Sequence, residues 1–193
     1  MQPPRPTPEQ LAAAASAVLP DVIAPGLKVL FCGINPGLYS GAVGHHFARP
    51  GNRFWPALRR AGFTDRLLSP AEDHLLPQYG CGVTNMVPLT TAAAAELSDE
   101  EFLEGARRLQ RKAKRYEPQW IAFVGIGAYR TGFADKRAHI GPQEKRIGPS
   151  RVWVLPNTSG LNANYQSKAL ADLFARLREA AGLPDLSPSA PTV

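Results

Sequence analysis

Apolar residues gather along this chain in short unbroken runs, separated by longer stretches in which they recur at helical spacing. Residues 28–33, 120–125 and 151–156 carry the runs Val29-Leu30-Phe31-Cys32, Trp120-Ile121-Ala122-Phe123-Val124 and Val152-Trp153-Val154-Leu155, each followed by glycine or proline. Runs of that length without alternation predict strands buried on both faces. Residues 82–87, Gly82-Val83-Thr84-Asn85-Met86-Val87, predict a further short strand. Between the strands lie helical signatures. Thr7-Pro8-Glu9-Gln10 has a capping hydroxyl, proline at the first helical position and glutamine at the third, so it opens an alanine-rich helix that should end by Pro20. Phe54, Trp55, Leu58 and Ala61 mark a second helix closed by Gly62, and Ser69-Pro70-Ala71-Glu72 starts a short one ending before Gly80. Ser98 caps a long helix through Tyr116 with Phe102, Leu103, Ala106 and Leu109 on one face. Helices are also predicted over 127–133 and 166–181. Residues 34–53, 88–96, 134–150 and 157–164 show no period and are predicted as loops.

Strands alternating with helices predict an α/β fold, a three-layer sandwich around a short, mainly parallel central sheet with right-handed crossovers. The expected organisation is an N-terminal extension and helix over 1–20, a single domain over 21–182, and a disordered tail over 183–193, marked by Pro184, Pro188 and Pro191.

Composition narrows the function classes. Lysine and arginine number 22 against 16 aspartate and glutamate, and the resulting net charge of +6 favours a polyanionic partner. The two cysteines, Cys32 and Cys81, fall in or beside predicted strands and are expected to be buried reduced thiols, too few to hold an iron–sulfur cluster. No run reaches membrane-spanning length, and the first residues lack the basic-then-apolar pattern of a secretory signal. The expected location is the cytoplasm, with the nucleoid in a bacterium. The cations of the long helix, among them Arg107, Arg108, Arg111 and Arg115, read best as a solvated face.

Candidate chemistry sits where the first strand stops, in Gly33-Ile34-Asn35-Pro36-Gly37. Open α/β sheets place their sites at the carboxyl ends of strands. Asn35 is the first side chain there able to hold a water or a base edge, on a turn that Pro36 and Gly37 stiffen. Taken singly, Asn35 could be a turn cap, Phe47 a pin for the long loop, and Leu161 a loop anchor. Their joint position beyond the first and last strands favours function. His45 and His46 lack a third metal ligand at a recognisable spacing and are read as loop or phosphate-contacting residues.

The motifs Gly33-Ile34-Asn35-Pro36-Gly37, Phe47-Ala48-Arg49-Pro50-Gly51-Asn52-Arg53-Phe54-Trp55 and Leu155-Pro156-Asn157-Thr158-Ser159-Gly160-Leu161 together resemble the mismatch-specific uracil-DNA glycosylase/thymine-DNA glycosylase branch of the uracil-DNA glycosylase superfamily, over about residues 22–181. The resemblance implies a monomeric enzyme without metal or cofactor. Such an enzyme flips a uracil, or a related pyrimidine, mispaired with guanine out of double-stranded DNA and hydrolyses its N-glycosidic bond. By the same resemblance Asn35 positions the attacking water and Phe47 stacks on the base. Ile34, Gly37, Ser40, Asn85 and Asn157 complete the base pocket, and Ser159-Gly160-Leu161-Asn162 forms the loop that enters the duplex. Position and charge add Arg49, Arg53 and Lys168 as phosphate contacts. The residue types suit the chemistry: extrusion costs a few kcal/mol, stacking on an aromatic ring returns about 1–3 kcal/mol, and an apolar wedge can fill the vacated stack. The chain departs from the branch pattern in two places. Asn162 and Ala163 replace the usual Ser-Arg after Gly160-Leu161, and Ala92-Ala93-Ala94-Ala95 stands in a loop that lacks the usual Arg-Pro-Thr. Two other classes share parts of the pattern: an α/β nucleotide-binding module, and a protein that binds damaged DNA without cleaving it. Neither Gly-x-Gly-x-x-Gly nor a phosphate-loop lysine supports the first.

Overall fold

A computed structural model describes residues 5–160 and 164–187. Its centre is one five-stranded sheet of β1 (Val29–Gly33), β2 (Cys81–Asn85), β3 (Trp120–Val124), β4 (Gly141–Ile147) and β5 (Ser150–Leu155), in the order β2-β1-β3-β5-β4. β2, β1, β3 and β5 are parallel, and β4 is antiparallel to β5. The fold is α/β with helices on both faces, as the alternation of elements predicts.

The runs are apolar throughout because the sheet is covered on both sides. Along β1, Val29 and Phe31 point into one core with Phe54, Phe63 and Phe174, while Leu30 and Cys32 point into the other with Leu109, Phe123 and Tyr129. The first core lies under α3 (Phe54–Arg60) and α6 (Ser167–Ala180), the second under α4 (Asp99–Tyr116) and α5 (Ile126–Gly132). Phe31 meets Phe54 edge-on at 5.3 Å and stacks near Phe174 at 5.8 Å. Cys32 and Cys81 are buried free thiols, and burial pushes both above their ordinary pKa.

Several elements differ from the sequence pattern. Residues 134–150, predicted as a loop, contain β4: only Gly141 and Ile147 at its ends are buried, so an edge strand with one wet side leaves no apolar run. Residues 34–53 contain α2 (Leu38–Val43), a six-residue helix with little buried surface. The stretch after Ser69 is a 3₁₀ segment, Pro70–Tyr79, and the β2 strand runs one to two residues earlier than the pattern places it. In the 88–96 loop the alanines form only a 3₁₀ turn, Ala94–Glu96.

The N-terminal helix is also shorter than its alanines suggest. α1 (Pro8–Ala13) opens on the Thr7–Gln10 capping box but stops where long-range pairing begins. The Thr90 hydroxyl donates to the Ala14 carbonyl, Ser16 N donates to Thr90 O at 3.1 Å, Thr90 N to Ala17 O at 2.9 Å, and Val18 bridges Leu89. Residues 5–19 are therefore stitched to the loop after β2. At the other end, residues 183–187 are ordered against the domain, where the sequence predicts disorder. Leu186 N donates to Gly62 O at 2.9 Å, and buried Arg178 pairs with Asp185 at 3.0 Å. Gly62 has φ +76°, and a Cβ there would stand 2.0 Å from an Asp185 oxygen.

Candidate active site

The carboxyl ends of β1, β2, β3 and β5 open into one cleft of about 750 Å³. The loop after β1 brings Ile34, Asn35 and Gly37 to it, α2 brings Ser40, β2 brings Asn85, and the segment after β5 brings Asn157 and Ser159. Phe47 and Arg49 line it as well. The sequence-predicted pocket thus converges on one cavity, and the phosphate candidate Arg49 is exposed at it.

Asn35 is held by one end of its amide. Its Nδ2 lies 2.7 Å from Thr91 Oγ1, 3.1 Å from Pro36 O and 3.4 Å from Leu89 O. The Thr91 hydroxyl already donates its proton to Ala93 O at 2.9 Å, so it can only accept from Asn35. All three neighbours are acceptors, which fixes the NH₂ group toward them. Among the described residues no donor reaches Oδ1, and that oxygen is what Asn35 offers to the cleft. Thr91 escaped the sequence reading because it belongs to no motif; the one signal was a hydroxyl residue directly before the alanine run.

Phe47 sits with φ +52°, a left-handed conformation rare for an aromatic residue. One face of its ring stacks on buried Phe54 at 4.0 Å and 19°, and the half-buried ring lines the cleft beside Gly33. Such strain persists only when the surroundings over-determine it. The bonds that hold its neighbours are at hand: Ala48 N donates to Ser40 Oγ at 3.1 Å, and Trp55 Nε1 donates to His46 O at 3.2 Å.

His46 lies in the loop between α2 and α3, as the sequence reading allows, but it is buried and not free to meet a phosphate. It is 2% exposed. Its Nε2 faces the Pro20 carbonyl at 2.8 Å, which can only accept, so Nε2 carries the proton. Nδ1 then accepts from Asn85 Nδ2 at 3.3 Å, and the Asn85 amide is oriented in turn. Burial holds the His46 pKa below its ordinary value, against the pull of the Pro20 carbonyl, Asp73 and Asp21, with Lys112 adding to the lowering. His45 instead pairs with Asp73 at 3.3 Å.

Arg53 also turns away from the assigned phosphate role. Its guanidinium donates to Ser159 O at 3.2 Å and to Tyr165 O, and its backbone N donates to Thr158 O at 2.9 Å. It thereby grips the chain just before and just after residues 161–163. Gly160 packs so tightly on Gly51 that a Cβ would stand 2.7 Å from the Gly51 carbonyl. Leu161 and Asn162, predicted for the wedge, lie outside the described residues. Lys168 is exposed on the first turn of α6, paired with Asp172 at 3.1 Å.

The electrostatics follow from the lining. Two arginines, Arg5 and Arg49, line the cleft, and among the described residues no aspartate or glutamate does. The cleft therefore offers amides, an aromatic ring, a neutral imidazole and cations, a set suited to a polyanion carrying a flat heterocycle. A sequence model described as the uracil DNA glycosylase superfamily matches residues 20–180.

Proposed function

Because that match spans most of the chain, the protein belongs to the uracil DNA glycosylase superfamily, whose members are DNA glycosylases, and we propose that this one removes uracil mispaired with guanine in duplex DNA, and related pyrimidines more slowly. The observation that carries this reading is the orientation of Asn35. With its NH₂ group committed to three acceptors, its Oδ1 accepts a hydrogen from water and aims that water's lone pair into the cleft.

The lining sets the order of events. An asparagine takes no proton at neutral pH, and no carboxylate lines the cleft among the described residues. The His46 imidazole has both ring nitrogens engaged, by Pro20 O and the Asn85 amide, so among the described lining residues no group is free to take a proton during the attack. The glycosidic bond must break first: the electron pair of the C1′–N bond leaves with the base, whose negative charge the pocket's donors stabilise. Water held at Asn35 then adds to the oxocarbenium-like sugar and loses its proton to solvent. A mechanism so dependent on leaving-group departure is slow and favours bases that leave as stable anions.

Phe47 is assigned to stacking on the flipped base, where it returns about 1–3 kcal/mol of the extrusion cost. Asn85, with one N–H given to His46, keeps its other N–H and its carbonyl for a pyrimidine edge that pairs an acceptor with an N–H, as uracil's does. Leu161 is assigned to the wedge, its loop held at both ends by Arg53. The enzyme is proposed to act as a monomer, needing no metal or cofactor, and to work in the cytoplasm.

Uracil release measured on U:G duplex, U:A duplex and single-stranded oligonucleotides tests the whole reading. Release that is fastest from U:G supports it. Equal release from U:G and U:A removes the mismatch specificity and keeps the glycosylase. Tight binding without release leaves a damage-binding protein, and neither binding nor release leaves a nucleotide-binding module.

A further inference from the structure

The matched region begins at residue 20, yet the cleft does not. Arg5, Leu11 and Leu19 line it from the N-terminal side, and all three precede the matched segment. We propose that residues 5–19 are a working wall of the DNA site, in which Arg5 contacts a backbone phosphate beside the extruded nucleotide.

Placement comes first. The arm is fixed to the domain by the Thr90 hydroxyl on Ala14 O, by Ser16 N on Thr90 O at 3.1 Å, by Thr90 N on Ala17 O at 2.9 Å, and by Leu19, which is buried. α1 packs on α2, the helix that carries Ser40. A segment held this way brings Arg5 to the same cavity as Asn35 although 30 positions separate them.

Chemistry names the ligand. Arg5 is exposed, and among the described residues no carboxylate or carbonyl engages its guanidinium. Arg53, by contrast, is spent on carbonyls, and Lys168 has an aspartate partner. Arg5 and Arg49 are the cationic side chains lining the cleft, with no acid there to neutralise them. A guanidinium fits phosphate oxygens in bidentate geometry, and a nucleotide turned into the cleft carries a phosphate on either side. An exposed guanidinium at the cleft surface suits that backbone, while the base is met deeper by Phe47 and Asn85.

This inference rests on the glycosylase reading, and its test separates the two. Arg5→Gln and Arg5→Lys are compared with the wild type in single-turnover uracil release from U:G duplex, and in binding to U:G duplex across a salt series, there with Asn35→Ala added to each protein so that the DNA stays intact. Expected for Arg5→Gln is a severalfold rise in the half-saturating enzyme concentration and a slope of log affinity against log salt shallower by about 0.9, the release of one phosphate's counterion. Arg5→Lys should restore most of the slope, because a point charge still neutralises a phosphate. An unchanged slope and half-saturation in Arg5→Gln overturns the proposal. So does a loss confined to the saturated rate, which would place the arm's effect on chemistry rather than on the backbone. If the wild type releases no uracil, the glycosylase reading fails, while the salt slope on U:G duplex still decides for or against the phosphate contact.

Discussion

Asn35 donates to Thr91 across 2.7 Å, and Thr91, donating onward to Ala93 at 2.9 Å, can do nothing but accept. The polarity of the Asn35 amide is therefore written by a residue 56 positions away. Asn35→Ala is expected to keep binding of U:G duplex and to lower single-turnover excision by about 10²–10³, the usual loss for one preorganised polar group. Asn35→Asp should not rescue it, because a carboxylate has no N–H for Pro36 O and Leu89 O and would set lone pairs against them. The carboxylate variant is expected to melt below the alanine variant; equal or higher melting would show that the three acceptors do not orient this side chain.

Thr91→Val keeps the shape of the threonine and removes the acceptor. With one hydrogen bond worth about 0.5–1.5 kcal/mol, excision should fall about two- to tenfold while duplex affinity stays as it was. Thr91→Ser should recover most of the rate. A loss in affinity without a loss in rate would take Thr91 out of the positioning of Asn35.

For Phe47→Ala the discriminating quantity is a difference between two DNAs. A flipped uracil can use the ring and an intact stack cannot, so binding to uracil-containing duplex should weaken by about 1–3 kcal/mol and binding to undamaged duplex much less. Equal losses would mean that stacking on Phe54 at 4.0 Å is the whole purpose of the side chain.

How far the chain announced all this depended on whether its signals were local. β1, β3 and β5 are legible because their buried stretches, covered on both faces, form continuous apolar runs. β4 is not, since an antiparallel edge needs only Gly141 and Ile147 inside and reads as a charged loop. Asn35 and Phe47 were legible as parts of motifs. Thr91, His46 and the arm that carries Arg5 act through contacts between distant segments, and no local pattern encodes those. The same competition shortened α1: alanines at 14, 15 and 17 favour helix by propensity, but pairing with residues 88–90 supplies tertiary hydrogen bonds that outweigh a few tenths of a kcal/mol per residue. His46 reads as a loop or phosphate-contacting residue, and nothing local in a glycine-rich loop signals that the fold buries it.

Arg53 offers a test of how the loop around Leu161 is held. Its guanidinium spans the carbonyls of Ser159 and Tyr165, so Arg53→Ala should loosen both ends of that loop at once. If the loop opens the stack, Arg53→Ala and Leu161→Ala should both slow excision from duplex far more than from single-stranded DNA, where no stack has to open. Because Arg53 also joins α3 to the segment after β5, a lower melting temperature is expected for Arg53→Ala, so the ratio of duplex to single-strand rates is the informative quantity. A ratio equal to the wild type in both variants would place the wedge elsewhere.

His46 is expected to contribute to the acid limit of stability. In the unfolded chain a histidine titrates near 6.5, whereas burial lowers the folded value. Between those two pH values the unfolded state binds the extra proton, so unfolding free energy rises with pH across the window and is lost as pH falls below about 6.5. The folded protein can accept that proton only by giving Nδ1 an N–H that faces the Asn85 amide N–H at 3.3 Å, which forces Asn85 to turn its amide or the ring to leave its place. Acid should therefore disturb the base pocket along with the fold. His46→Gln retains a side-chain donor for Pro20 O and cannot titrate. Denaturation midpoints measured from pH 7 down to about pH 5 are expected to fall more steeply in the wild type than in His46→Gln, with the two curves converging in shape above pH 7. Parallel curves through the whole range would assign the acid limb to other groups and leave His46 as a packing residue.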